Sequence, residues 1–122
     1  MPTDPEVRDL DPDALARLER FGGLKLLREM IALYLENAPE RLAAADAGVA
    51  AGDAGSTENA LHSLKSSSAQ LGALRLSRLC EEGETLARSG KLAGIAEIVA
   101  AGRAELVEVQ RWLHGIRDAR SE

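Results

Sequence analysis

Apolar residues recur along this chain at intervals of three and four, the period of an α-helix, and no stretch predicts a strand. The first run follows Asp11-Pro12. An aspartate can accept the free N–H groups of a first helical turn, and proline is pre-set for the first helical position. This short helix presents Leu15 and Leu18 and stops near residue 20, where Phe21 and the Gly22-Gly23 pair follow. A second stripe of Leu27, Met30, Ile31, Tyr34 and Leu35 predicts a helix over about 24–37. Pro39 reads as the start of a third, running through Leu42 and Val49 to Gly52. Ser56 or Thr57 is the expected cap of a fourth helix, about 57–71, which Gly72 closes. A fifth, about 73–90, puts Leu76, Leu79, Cys80, Gly83, Leu86 and Ala87 on its apolar side. The last, about 92–115, carries Ile95, Ile98, Val99, Leu106, Val109 and Leu113, although Gly94 and Gly102 each cost its continuity about 1 kcal/mol.

Short connections between long amphipathic helices make neighbours antiparallel. The expected fold is therefore all-α: an up-down antiparallel four-helix bundle with two shorter N-terminal helices packed across one end. Residues 1–9 hold two prolines and no periodicity, so they read as a flexible lead-in. One domain then spans residues 10–115, and 116–122 form a tail.

Composition agrees and adds exclusions. A chain of 122 residues closes one modest core, and its hydrophobic content of 45% comes with only 2% aromatic. Leu and Ala dominate, which favours helix over strand. The net charge of −5, without a Lys/Arg cluster, argues against nucleic acid as a partner. The lone Cys80 cannot form an intramolecular disulfide and reads as an inert core thiol in a reducing compartment. No apolar run approaches the roughly 20 residues that span a bilayer. The acidic, proline-bearing start is unlike a secretory leader, so a cytoplasmic location and no membrane association are expected. Met1 and a complete set of bundle helices favour a free-standing protein, with a monomer as the default.

The candidate chemistry lies in Leu61-His62-Ser63-Leu64-Lys65-Ser66-Ser67-Ser68-Ala69-Gln70-Leu71-Gly72. At about 100° per residue, Ala60, Leu61, Leu64, Ser68 and Leu71 share the core side. His62 falls opposite, ringed by Glu58, Asn59, Lys65, Ser66 and Ala69. An outward histidine is by default an ordinary surface residue. Here, however, Ser66 and Ala69 leave a clearing where a surface helix usually displays long charged side chains. Helical side chains also lean toward the N-terminus, which tips Ser66 toward the imidazole, with Lys65 one turn on. Ser67 and Ser68 turn toward the packed side. His114, near the end of the last helix, reads as a favourable C-terminal charge. No GxxxxGK[ST] or GxGxxG loop is present to bind a nucleotide. No carboxylate cluster stands near His62 in the sequence to hold Mg²⁺.

The stretch from His62 to Ala73 resembles the signature of histidine-containing phosphotransfer (HPt) domains, His-x-Leu-Lys-Gly-Ser-x-x-x-Leu-Gly. The similarity extends over roughly residues 10–113, from Leu10-Asp11-Pro12 through Leu79-Cys80-Glu81 and Glu84 to Gly90. The resemblance implies that His62 accepts a phosphoryl group from a receiver-domain aspartate or a histidine kinase and passes it to a response regulator. Lys65 would offset the phosphoryl charge, while Leu64, Leu71 and Gly72 match structural positions. Ser66 stands where the family has glycine. Gln70, at the rim of the outer face, is a candidate hydrogen-bond donor to the ring or phosphoryl group. Glu58, Asn59 and Ala69 complete the expected partner-docking face. Implied partners are a receiver domain and a sensor or hybrid histidine kinase. No cofactor or metal is expected on this chain, with Mg²⁺ supplied by the receiver, and no intrinsic enzymatic activity is expected. The alternative is a degenerate relative that binds such partners without phosphotransfer.

Overall fold

The computed structural model describes residues 9–120, so the lead-in expected over residues 1–9 lies outside them except for Asp9. Four helices make up the described chain: α1 (Pro12–Ala51), α2 (Ala54–Gln70), α3 (Leu74–Arg88) and α4 (Ile95–Ala119). A single 3₁₀ turn, Leu92–Gly94, precedes α4. The all-helical expectation holds. Helix α1 packs against α2 and α4, and α3 packs against the same two, which closes a ring around one core. Leu27, Ile31, Leu61, Leu64, Leu76 and Leu113 are among its fully buried side chains. Each such leucine or isoleucine contributes about 1.5–3 kcal/mol by leaving water.

The six expected helices are reduced to four because the first three are one run. Asp11 caps α1, its Oδ1 accepting from the Asp13 N–H at 3.0 Å. At Gly23 the backbone takes φ 81 and ψ −179, a kink in the left-handed half of the map that glycine enters without strain. The kink separates an arm, 12–22, from a long limb, 24–51. Pro39 does not start a new helix; it sits inside the limb. An interior proline costs roughly 3 kcal/mol in isolation. The buried stripe Tyr34, Ala38, Leu42 and Ala45 passes straight through that position, with Pro39 on the exposed side, and its packing carries the helix across.

Other boundaries shift for similar reasons. Asp53, not Ser56 or Thr57, caps α2: its Oδ1 accepts from the Ser56 N–H at 3.0 Å and its Oδ2 from the Ser56 hydroxyl at 2.7 Å. Thr57 is instead buried, donating to the Asp53 carbonyl at 3.0 Å. Gly94 lies just outside α4, whereas Gly102 is buried within it. Helix α4 runs to Ala119, past the boundary expected at 115.

The arm does not merely lie across an end of the bundle. Its lead residues pair with the turn between α2 and α3: the Asp11 N–H donates to the Gly72 carbonyl at 2.8 Å, and the Leu74 N–H donates to the Asp9 carbonyl at 3.0 Å. Gly72 makes this pairing possible. Its φ is 82, and a Cβ there would stand 2.3 Å from the Asp11 carbonyl oxygen. Among the described residues, no helix is long and apolar enough to cross a membrane.

Candidate functional site

Helix α2 turns Thr57, Ala60, Leu61, Leu64 and Ser68 inward. That fixes the rotation of the helix and puts His62 outside, near its middle. Ser68 is tied into the core by a 2.7 Å hydrogen bond to the Tyr34 hydroxyl. The imidazole is 61% exposed, as expected from the wheel. Asn59, Ser66, Ala69 and Gln70 are also exposed, and Glu58 and Lys65 are half-buried, so the outer face is the one the sequence marks out.

The ring is not free, however. Its Nδ1 lies 2.7 Å from Oε2 of Glu84, a residue of α3 that is only 3% exposed. Burial alone would push the Glu84 carboxyl up. The hydrogen bonds and charges of Lys65 and His62 outweigh that and hold it below the usual carboxylate range. An ionised carboxylate can only accept, so Nδ1 carries the proton and donates. In the neutral ring, the lone pair then belongs to Nε2, on the side away from Glu84.

Glu84 gathers two cations as well. The Lys65 ammonium is 2.8 Å from Oε1 and 27% exposed, a close ion pair. Arg88, one turn along α3, donates from one terminal nitrogen to Oε2 of Glu84 at 2.9 Å. Its Nε donates to Oε2 of Glu58 on α2 at 3.0 Å. Glu84 thus joins Lys65, His62 and Arg88 at the α2–α3 seam, and Arg88 links it on to Glu58.

Glu84 and Arg88 were not singled out from the sequence. One signal for Glu84 was present: it follows Leu76 and Cys80 at intervals of four on the stripe that α3 buries. A charge on a core-facing stripe is an informative departure. The outer-face residues Ala69 and Gln70 lie seven and eight positions beyond His62, an axial rise of about 10–12 Å. Gln70 therefore does not reach the ring; it lines depressions shared with Met30, Leu33 and Arg41 on one side and Arg17, Leu18 and Phe21 on the other. Phe21 stands 88% exposed at the end of the arm. Cys80 is buried, and burial pushes its thiol up to about 12. His114 is exposed and paired with Arg117 at 2.8 Å, away from the site. Among the described residues, no three His, Cys, Asp or Glu side chains gather as a metal site would require.

The ring of helices thus holds the His62 imidazole out to solvent with a buried carboxylate behind it. The Hpt domain family model matches residues 29–119, and the chain belongs to that family. Its fold is similar to that of a solved structure, histidine-containing phosphotransfer protein B (HptB) from Pseudomonas aeruginosa PAO1. The two share 26% identity with a TM-score of 0.88, over 94% of this chain and 99% of that one. No curated protein matches the chain.

Proposed function

We propose that this chain is a phosphocarrier of a two-component phosphorelay, in which Nε2 of His62 takes a phosphoryl group from a receiver-domain aspartate or a histidine kinase and passes it to a response regulator. One observation carries the reading. His62 is exposed in the middle of α2 while its Nδ1 is held at 2.7 Å by a buried, ionised Glu84.

The chemistry follows from that pair. The Nε2 lone pair forms the N–P bond as the P–O bond to the donor aspartate breaks, and the aspartate leaves as a carboxylate. The ring becomes a phosphorylated imidazolium, still carrying its Nδ1 proton. Glu84 stabilises that new positive charge and holds the ring plane during attack, without any proton having to enter or leave. A nitrogen–phosphorus bond of this kind remains reactive, so the group can move on to the next aspartate. The Mg²⁺ that phosphoryl transfer normally uses would come with the partner, because both carboxylates beside His62, Glu58 and Glu84, are already committed to Arg88, Lys65 and the ring. The protein would act as a carrier between partners and not turn over alone. In keeping with this role, the four helices form the up-down bundle of the family, and docking centres on Glu58, Asn59, His62, Ser66 and Ala69.

His62→Gln should abolish phosphoryl acceptance and leave helicity intact, because the side chain contributes nothing to the core. Incubation with a labelled phospho-receiver domain tests this. Label that persists on the His62→Gln protein would assign acceptance elsewhere. A wild-type protein that binds the receiver but takes no label would instead favour an adaptor.

A further inference from the structure

We propose that two copies of this chain associate head to tail, the arm of one seating Phe21 in an acid-rimmed groove between α3 and α4 of the other. The proposal goes beyond the phosphocarrier reading and does not rest on it. Three observations support it. First, the groove is apolar and open. It lies on the flank of α3 opposite the site, since Glu82 and Leu86 sit about 160° around that helix from Glu84. The half-buried side chains of Leu86 and Ile98 line a depression of about 480 Å³. Gly94 keeps one end clear, because a Cβ there would stand 3.3 Å from a Leu86 methyl.

Second, the rim of the groove carries unmatched charge. The Glu81 and Glu82 carboxylates are exposed and make no ion pair or hydrogen bond among the described residues. The guanidiniums nearer the start of α3 are taken, Arg75 by Glu105 at 3.4 Å and Arg78 by Asp9 at 3.7 Å. Third, the end of the arm is the counterpart. Phe21 is the most exposed large apolar side chain among the described residues. Arg17, one turn before it on the same face, and Arg20 beside it are exposed and likewise unpaired among the described residues. Glu19, the acid between them, is already bound to Arg120. Interfaces concentrate aromatic and arginine side chains, and acids around an apolar floor are their complement. At a net charge of −5 two copies repel overall, which disfavours contacts that do not place arginine on glutamate. Because the two patches differ, each pair leaves one arm and one groove free to continue.

Sedimentation velocity on the whole chain over a range of concentrations tests this. At about 0.01 M salt the weight-average sedimentation coefficient should rise with concentration. The rise should shrink at about 1 M, where the Debye length has fallen from about 30 to 3 Å. Phe21→Ser, Arg20→Glu and Glu82→Arg should each weaken association at least several-fold. All three positions are exposed, so circular dichroism should show the helices intact. Mixing the Arg20→Glu and Glu82→Arg proteins places opposite charges at both kinds of contact, and the equimolar mixture should recover the wild-type concentration dependence. Wild-type protein that sediments as a monomer at every concentration in low salt overturns the proposal. Association that none of the three substitutions weakens, or that mixing does not recover, overturns it as well and assigns the contact to another face.

Discussion

At the scale of single residues, the site is a buried carboxylate with three cationic or proton-donating neighbours, and its properties follow from that imbalance. Glu84 is held ionised by Lys65 and His62 against the cost of its burial. Glu84→Gln keeps the shape but removes the charge that matches the phosphorylated ring. A charge-assisted hydrogen bond is worth about 1.5–3 kcal/mol, so transfer from a phospho-receiver should slow by roughly 10- to 100-fold. Unchanged rates would reduce Glu84 to a packing element. Ser66 poses a steric question instead. It is exposed, one turn beyond His62, where glycine is the family's usual residue. Ser66→Gly should keep or raise the transfer rate, and Ser66→Leu should block it without loss of helicity. Equal rates in the two variants would remove the idea that this position sets access to the ring.

At the scale of elements, the turn between α2 and α3 holds the His62 helix against the arm. Gly72 adopts φ 82, and a methyl group there would meet the Asp11 carbonyl oxygen at 2.3 Å. Gly72→Ala should lower stability by at least about 1–2 kcal/mol, the cost of a left-handed residue before the displaced strand pairing is counted. Urea denaturation measures this, and a loss below a few tenths of a kcal/mol would mean that the Asp9–Asp11 segment is free to move away. The arm is the element least apparent from the chain. Its helix is legible from Leu15 and Leu18, but the backbone pairing of Asp9 and Asp11 with the α2–α3 turn joins residues about 60 positions apart, for which no periodicity speaks.

At the scale of the whole molecule, pH acts on stability through the same carboxylate that serves the site. Because the folded-state ionisation of Glu84 lies below its unfolded value of about 4.3, its contribution is fully present above that pH. It is lost as pH falls through the folded value. Asp53 shifts in the same direction through its bonds to Ser56. Thermal melts should therefore show the largest gap between wild type and Glu84→Gln near neutrality, closing below about pH 4. A gap that stays constant to pH 3 would show that Glu84 is not the group responsible. The whole molecule also decides what surrounds the nucleophile. Phe21, Leu18 and Gln70 come together because the arm ahead of the Gly23 kink lies against the C-terminal end of α2.

The sequence by itself determined the helical class, the inward faces of the helices and the outward position of His62. These depend on a 3.6-residue period that any single segment carries within itself. It also placed Cys80 and Ser68 near the packed side, whereas it read Thr57, which is buried, only as a candidate cap. Only the tertiary structure decided that Pro39 lies within a helix, because a buried stripe on both sides of it outweighs a local preference for a new start. Only the tertiary structure, too, brought Glu84 to Nδ1 of His62 across 22 residues of chain and set Arg88 between Glu84 and Glu58. Periodicity shows which face of a helix is buried, but it leaves open how far two buried faces slide along one another. That offset between α2 and α3 turned an ordinary surface histidine into one whose Nδ1 is held by a buried carboxylate.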